Sequence, residues 1–220
     1  MGRPDDPDTW AKLDEMVFNR VFRFEDGLGL RSSMTFVDEG GHFTQDVRLQ
    51  CRARISRKVF CIKGMPGADK PTPLAEEDED RGQSGRIGTC WQYQLGVDSG
   101  KQIIMDNLKV QKPGSKYCHF PRRDDYGPGY FTGLLSEHLV YDPAKKQPWV
   151  WEKIPGHERN EALDCRNYAL AAFKALPANL DEIDRRLKAA RGKAPSTGVA
   201  TAPPPPKKQT KRGSALKKYY

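Results

Sequence analysis

The chain has 220 residues, 37 % of them hydrophobic and 30 % charged, with a formal net charge of +8. That apolar share falls below the roughly 45–50 % usual for soluble proteins, so one globular domain with a polar, flexible segment attached is expected. No apolar run approaches the ~18 residues needed to span a bilayer, and the opening Met1-Gly-Arg-Pro-Asp-Asp-Pro-Asp8 lacks a signal-peptide core, which excludes membrane and secreted classes.

The charge is unevenly placed. Eleven Lys/Arg and no Asp/Glu lie from Arg185 to Tyr220, leaving residues 1–184 with 26 basic against 29 acidic side chains. Cysteines 51, 61, 90, 118 and 165 form no Cys-x-x-Cys pair, so they are expected as buried reduced thiols rather than a metal or disulfide framework.

Asp8-Thr9 before Trp10, Leu13, Met16, Val17 and Val21 predicts a capped amphipathic helix over 9–24. Ser32–Val37 reads as a strand, Phe43–Arg54 as a helix with Phe43, Val47 and Cys51 four apart, and Lys58–Ile62 as a second strand. That order is a βαβ unit with parallel strands. Residues 64–88, with the acidic run Glu76–Asp80, read as a loop. Trp91–Val97 reads as a strand, Ser99–Leu108 as a helix, Tyr117–Phe120 as a short strand and Tyr130–His138 as a helix. Leu139–Tyr141 and Trp149–Trp151 flank a hairpin turn, and Asn160–Leu176 is helical. The expected organisation is a domain over 1–178, a charged helix over 179–191 and a disordered Pro/Lys-rich tail over 192–220.

Three aspartates could carry chemistry. Asp38 ends an apolar strand before Gly40-Gly41, at the strand end where α/β sheets bind ligands; the alternative is a cap on the following helix. Asp164 lies beside a helix face of Ala162, Cys165, Ala169, Ala172, Phe173 and Leu176, with small neighbours that would let it approach a sheet. Its alternative is a surface Asp paired with Arg166 or Lys174. Asp98, in Leu95-Gly-Val-Asp-Ser-Gly-Lys101, follows a strand and would serve equally as a helix cap. Lys101 could meet a phosphate, and His42 could transfer protons or simply cap. Lys63 and Glu161 complete the candidates for supporting or DNA-contacting groups. The pattern G-x-x-x-x-G-K-[ST] is absent, so no ATPase site is expected in this chain. Carboxylates converging from a strand end and a packed helix suit a hard divalent cation acting at a phosphodiester.

Read together, Phe36-Val-Asp-Glu-Gly-Gly-His-Phe-Thr-Gln45, Leu95–Lys101 and Arg159-Asn-Glu-Ala-Leu-Asp-Cys-Arg-Asn-Tyr-Ala-Leu-Ala-Ala172 change the picture. With Val59–Gly64, Tyr117–Pro121 and Tyr130–Leu134, they occur in the order of a known domain. Over residues 8–177 the chain resembles the C-terminal nuclease half of the lambda-like, GpA-type phage terminase large subunit. The resemblance implies an RNase H-like α/β fold and a Mg²⁺- or Mn²⁺-dependent endonuclease that cuts concatemeric DNA during packaging. It implies as partners double-stranded phage DNA, the terminase small subunit and the portal or procapsid, in the cytoplasm of a bacterial host. Asp38 matches the family's strand-end acid and Asp164 the acid on its late helix; Asp98 matches an acid without an assigned role. In that family an opening hairpin region with the first metal-binding Asp precedes the helix found here at 9–24. The fold is therefore expected to be incomplete, and the chain to cleave weakly or not at all unless paired with an upstream polypeptide. The other functional class is an inactive remnant or a DNA- or portal-binding assembly module.

Overall fold

The computed structural model describes residues 2–67, 74–78, 90–157 and 159–193. The chain divides into two units, 1–179 and 180–220.

The first helix, α1 (Pro7–Asp14), starts earlier than the predicted 9–24 because Asp6 is the cap, its Oδ1 accepting from the Asp8 N–H at 3.0 Å, and Pro7 fits the first turn. A π-turn over Glu15–Asn19 then shifts the helical phase. Val17 is therefore buried while Met16 turns outward, and the chain leaves as strand β1 (Phe22–Arg23), paired antiparallel with β2 (Gly29–Leu30).

The predicted βαβ unit is present. Strand β3 (Thr35–Asp38), helix α2 (Thr44–Ala53) and strand β4 (Val59–Met65) follow one another, with β3 and β4 parallel and Asp38 opposite Ile62. Leu74–Asp78, expected as loop, forms strand β5, and β6 (Cys90–Gly96) lies parallel to β4 and antiparallel to β5. The main sheet runs β3-β4-β6-β5.

Strand β4 is buried on both faces, as a central strand should be. Val59 and Cys61 join Trp10, Val47 and Cys51 beneath α1 and α2. Ile62 joins Leu95 and Ala171 on the other face, under α5 (Glu161–Ala175). A third cluster of Ile104, Leu134 and Leu163 binds α5 to α3 (Val97–Leu108) and α4 (Pro128–Leu134). Fully burying such a Leu or Ile contributes about 1.5–3 kcal/mol, so these clusters hold the three layers together. Helices α3 and α5 meet at Gly100, where an added Cβ would lie 1.8 Å from Asn167 Oδ1.

Two further expectations change. Tyr117–Phe120 is irregular, with no strand partner among the described residues, and packs through the aromatic contacts of Phe120 with Tyr130 and Phe131. Helix α4 ends at Leu134, because Glu137 already opens β7 (Glu137–Tyr141), the first strand of the predicted hairpin with β8 (Trp149–Lys153). In the second unit, α6 (Leu180–Lys193) carries Glu182–Arg186 and Asp184–Lys188 ion pairs one turn apart. The reading of the tail as disordered falls outside the described residues. Of the cysteines, Cys51 and Cys61 are buried and in no disulfide, as expected, whereas Cys165 is exposed. No described helix is long and apolar enough to cross a membrane.

Candidate functional site

The site starts where β3 ends. Along this strand side chains alternate, so Phe36 and Asp38 face α5 while Val37 and Glu39 face α2. Glu39 still pairs as sheet, its N–H donating to the Ile62 carbonyl at 3.1 Å. The chain then turns through Gly40 and Gly41, and Gly41 has φ +102°, a conformation glycine adopts freely. Asp38 is held by this turn: Oδ1 accepts from the Gly40 N–H at 2.9 Å, and Oδ2 accepts from the Tyr168 hydroxyl at 3.2 Å. It does not cap α2, whose N-cap is Phe43 without a side-chain bond.

Glu39 is the anchor beneath. It is 3 % exposed, and Arg48 donates to both of its oxygens at 2.8 and 2.9 Å, with Gln92 donating to Oε1 from β6. Burial alone would raise its carboxyl; the hydrogen bonds from Arg48 and Gln92 and the Arg48 charge outweigh burial and hold it below the usual range.

Helix α5 brings the second acid. Its buried residues are Leu163, Asn167, Ala171 and Ala172; of the predicted face Ala172 is buried, whereas Cys165, Ala169 and Phe173 are exposed. Alanines occupy several sides of the helix, so spacing alone did not fix which side meets the sheet. Asp164 and Tyr168, one turn apart, border the buried stripe and lie towards Asp38. Asp164 pairs with neither Arg166 nor Lys174. Its Oδ2 accepts from Asn160 Nδ2 at 2.9 Å, and its Oδ1 lies 3.9 Å from Lys101 Nζ.

A third acid, Glu137 at the start of β7, had no signal in the sequence. Lys101 Nζ donates to its Oε2 at 2.6 Å and Asn160 Nδ2 to its Oε1 at 2.7 Å, closing a ring of Lys101, Glu137, Asn160 and Asp164. Lys101 is thus a buried ion-pair partner, not an exposed phosphate contact.

Burial raises the Asp164 carboxyl, and the negative charges of Glu137 and Asp38 raise it further against the lowering pull of Lys101 and Lys153. Burial and the charges of Asp38 and Asp164 likewise push the Tyr168 phenol up. Asp38 and Asp164 therefore share one electrostatic environment, with Tyr168, one turn from Asp164, hydrogen-bonded to Asp38. Asp38 is exposed, and among the described residues no basic side chain forms an ion pair with it.

The remaining candidates lie apart. Asp98 neither caps α3 nor reaches Asp38: β4 separates their strands, and Asp98 Oδ2 accepts from the Gly67 N–H at 2.7 Å. It borders an open groove of about 380 Å³ lined mainly by Ile103, Leu139, Trp149 and Trp151. His42 and Lys63 are exposed, and Glu161, also exposed, meets Arg159 at 3.4 Å.

Among the described residues no group of three His, Cys, Asp or Glu is arranged to hold a metal ion. Asp38 and Asp164 are two carboxylates close enough for one charge to act on the other. That pair suits Mg²⁺, which keeps most of its water and takes one or two carboxylates plus substrate phosphates. The charge repulsion at Asp164 is what a bound cation would relieve.

Residues 1–187 match the family model described as "Terminase large subunit gpA, endonuclease domain". The chain is 30 % identical over 185 residues to the terminase large subunit of Enterobacteria phage P21, and 30 % identical over 182 residues to that of Escherichia phage lambda. Each alignment covers 79 % of this chain and 27 % of the relative, so the chain spans about a quarter of the length of these relatives. No solved structure matches it.

Proposed function

The chain belongs to the family of GpA-type terminase large subunit endonuclease domains, and from that premise we propose that it is a Mg²⁺- or Mn²⁺-dependent endodeoxyribonuclease with an RNase H-like fold. Its substrate is concatemeric double-stranded phage DNA, cut during packaging in the host cytoplasm together with the small subunit and the portal. The observation that supports this reading is that Tyr168 hydrogen-bonds Asp38 at the carboxyl end of β3 while the charges of Asp38 and Asp164 act on each other and on that phenol.

Asp38 and Asp164 would hold the divalent ion, which when bound polarises the scissile phosphate. The protein's own part is orientation. Tyr168 and the Gly40 N–H each occupy one lone pair of Asp38 and leave others directed outward. Asn160 fixes Asp164 in the same way. Gly41 leaves open space beside the site, since nothing lies within 4 Å of where its Cβ would be, so a phosphate backbone can approach. The basic residues after Arg185 add a salt-sensitive attraction for DNA.

The absence of a third metal-binding side chain among the described residues favours one alternative, an inactive assembly module that binds DNA or portal. The outer edge of β3 pairs with no strand among the described residues, so it is open to pairing with a partner strand. A plasmid-nicking assay decides between the two. The nuclease reading expects Mg²⁺-dependent nicking that is lost in Asp38→Asn and Asp164→Asn. No nicking, with DNA binding intact, would favour the assembly module.

A further inference from the structure

The ring beside the proposed metal pair contains a cation of its own. Lys101 is 9 % exposed and Glu137 7 % exposed, so neither charge is dissolved in solvent. Lys101 Nζ sits 2.6 Å from Glu137 Oε2 and 3.9 Å from Asp164 Oδ1, and therefore lies between two carboxylates from different elements. Asn160 ties the same two carboxylates from the other side, donating to Glu137 Oε1 and Asp164 Oδ2. The arrangement is a built cation position, with hard oxygens from β7 and α5 converging on it.

Asp38, Asp164 and Glu137 bring three negative charges and Lys101 one positive charge, which leaves two, the charge of one divalent ion. Lys153 of β8 acts on Asp164 from further out and is exposed, so it adds screening without filling the position.

We infer that Lys101 Nζ takes the place of a second divalent cation between Glu137 and Asp164, so that the centre binds a single metal ion, on the Asp38 side. This rests on the proposed metal pair. It assigns Lys101 as a positioning residue that sets metal stoichiometry, and separates the site from centres in which two ions 3.5–4 Å apart share the acids.

The test is Mn²⁺ binding to the full chain, counted by electron paramagnetic resonance and calorimetry. The wild type should bind one ion and Lys101→Met two; Lys101→Arg, which keeps the charge, should bind one. Lys101→Met combined with Glu137→Gln removes both members of the pair and should also bind one. If Lys101→Met loses its fold in chelator, the inference requires Mn²⁺ to restore it, and failure of restoration overturns it. The inference is likewise overturned if Lys101→Met binds no more ions than the wild type. The underlying metal reading fails separately, by a wild type that binds none; the gain of one ion in Lys101→Met still decides the role of the lysine.

Discussion

Replacing Arg48 by Met should strip the charge partner from Glu39 while leaving most of the side-chain volume in place. Glu39 is 3 % exposed, and its partner's side chain is 13 % exposed, so both charges are largely removed from water. Breaking a buried pair by removing one member costs about 3–5 kcal/mol, because the charge left behind is uncompensated. Against a total stability of about 5–15 kcal/mol, such a loss moves a urea midpoint by an easily measured amount. The pH dependence supplies a second handle. In the wild type the Glu39 carboxyl is held low, so its contribution is fully present above the unfolded carboxylate pKa and is lost as pH falls through the lower folded value. In Arg48→Met burial dominates and raises the carboxyl, so the variant recovers stability relative to wild type as acid protonates Glu39. Urea unfolding of both proteins from pH 7 to pH 4 should therefore show a gap that narrows with acidity. Adding Glu39→Gln to Arg48→Met should recover much of the loss at neutral pH. A gap below ~1 kcal/mol, or one independent of pH, would refute the claim that Glu39 is a buried, paired carboxylate anchoring the Asp38 turn.

Gly100→Ala should cost about 1–3 kcal/mol by thermal or urea unfolding, since its methyl would strike Asn167, and should cost far less once Asn167 is already Ala. Asp164→Asn should leave stability unchanged or raise it at neutral pH. A carboxylate raised by burial opposes folding above its folded pKa, so the difference from wild type should vanish as pH falls and protonates it. Removing residues 192–220 deletes seven Lys/Arg, and the log–log salt dependence of DNA affinity should become shallower; an unchanged slope would exclude the tail from binding.

The parts of the fold legible in the sequence were those where periodicity and punctuation agree. Ser32–Asp38, the Gly40-Gly41 turn and Val59–Ile62 announce a parallel βαβ unit because each segment has one dominant pattern. Helix α5 was legible as a helix but not in orientation, since alanines occupy several of its faces and Asn167, a polar residue, is buried on the one that meets α3. Strand β5 was hidden by its acidic composition, which favours a loop reading. At the site, the strand-end position of Asp38 and the odd placement of Asp164 were visible locally. Glu137 was not, because it owes its burial to Lys101 and Asn160, 36 and 23 residues away in sequence. Asp98 follows a strand as Asp38 ends one, but sheet order, which local sequence does not reveal, places β4 between those two strands.

The central claim is that Asp38 and Asp164 together hold a divalent ion. Crystals of the chain grown with Mn²⁺, measured for anomalous scattering, test it directly. The account predicts one strong anomalous peak coordinated by oxygens of both carboxylates, next to Tyr168 and clear of Glu137. A well-ordered structure with no peak there, or with the two carboxylates on opposite faces of the sheet, would contradict it.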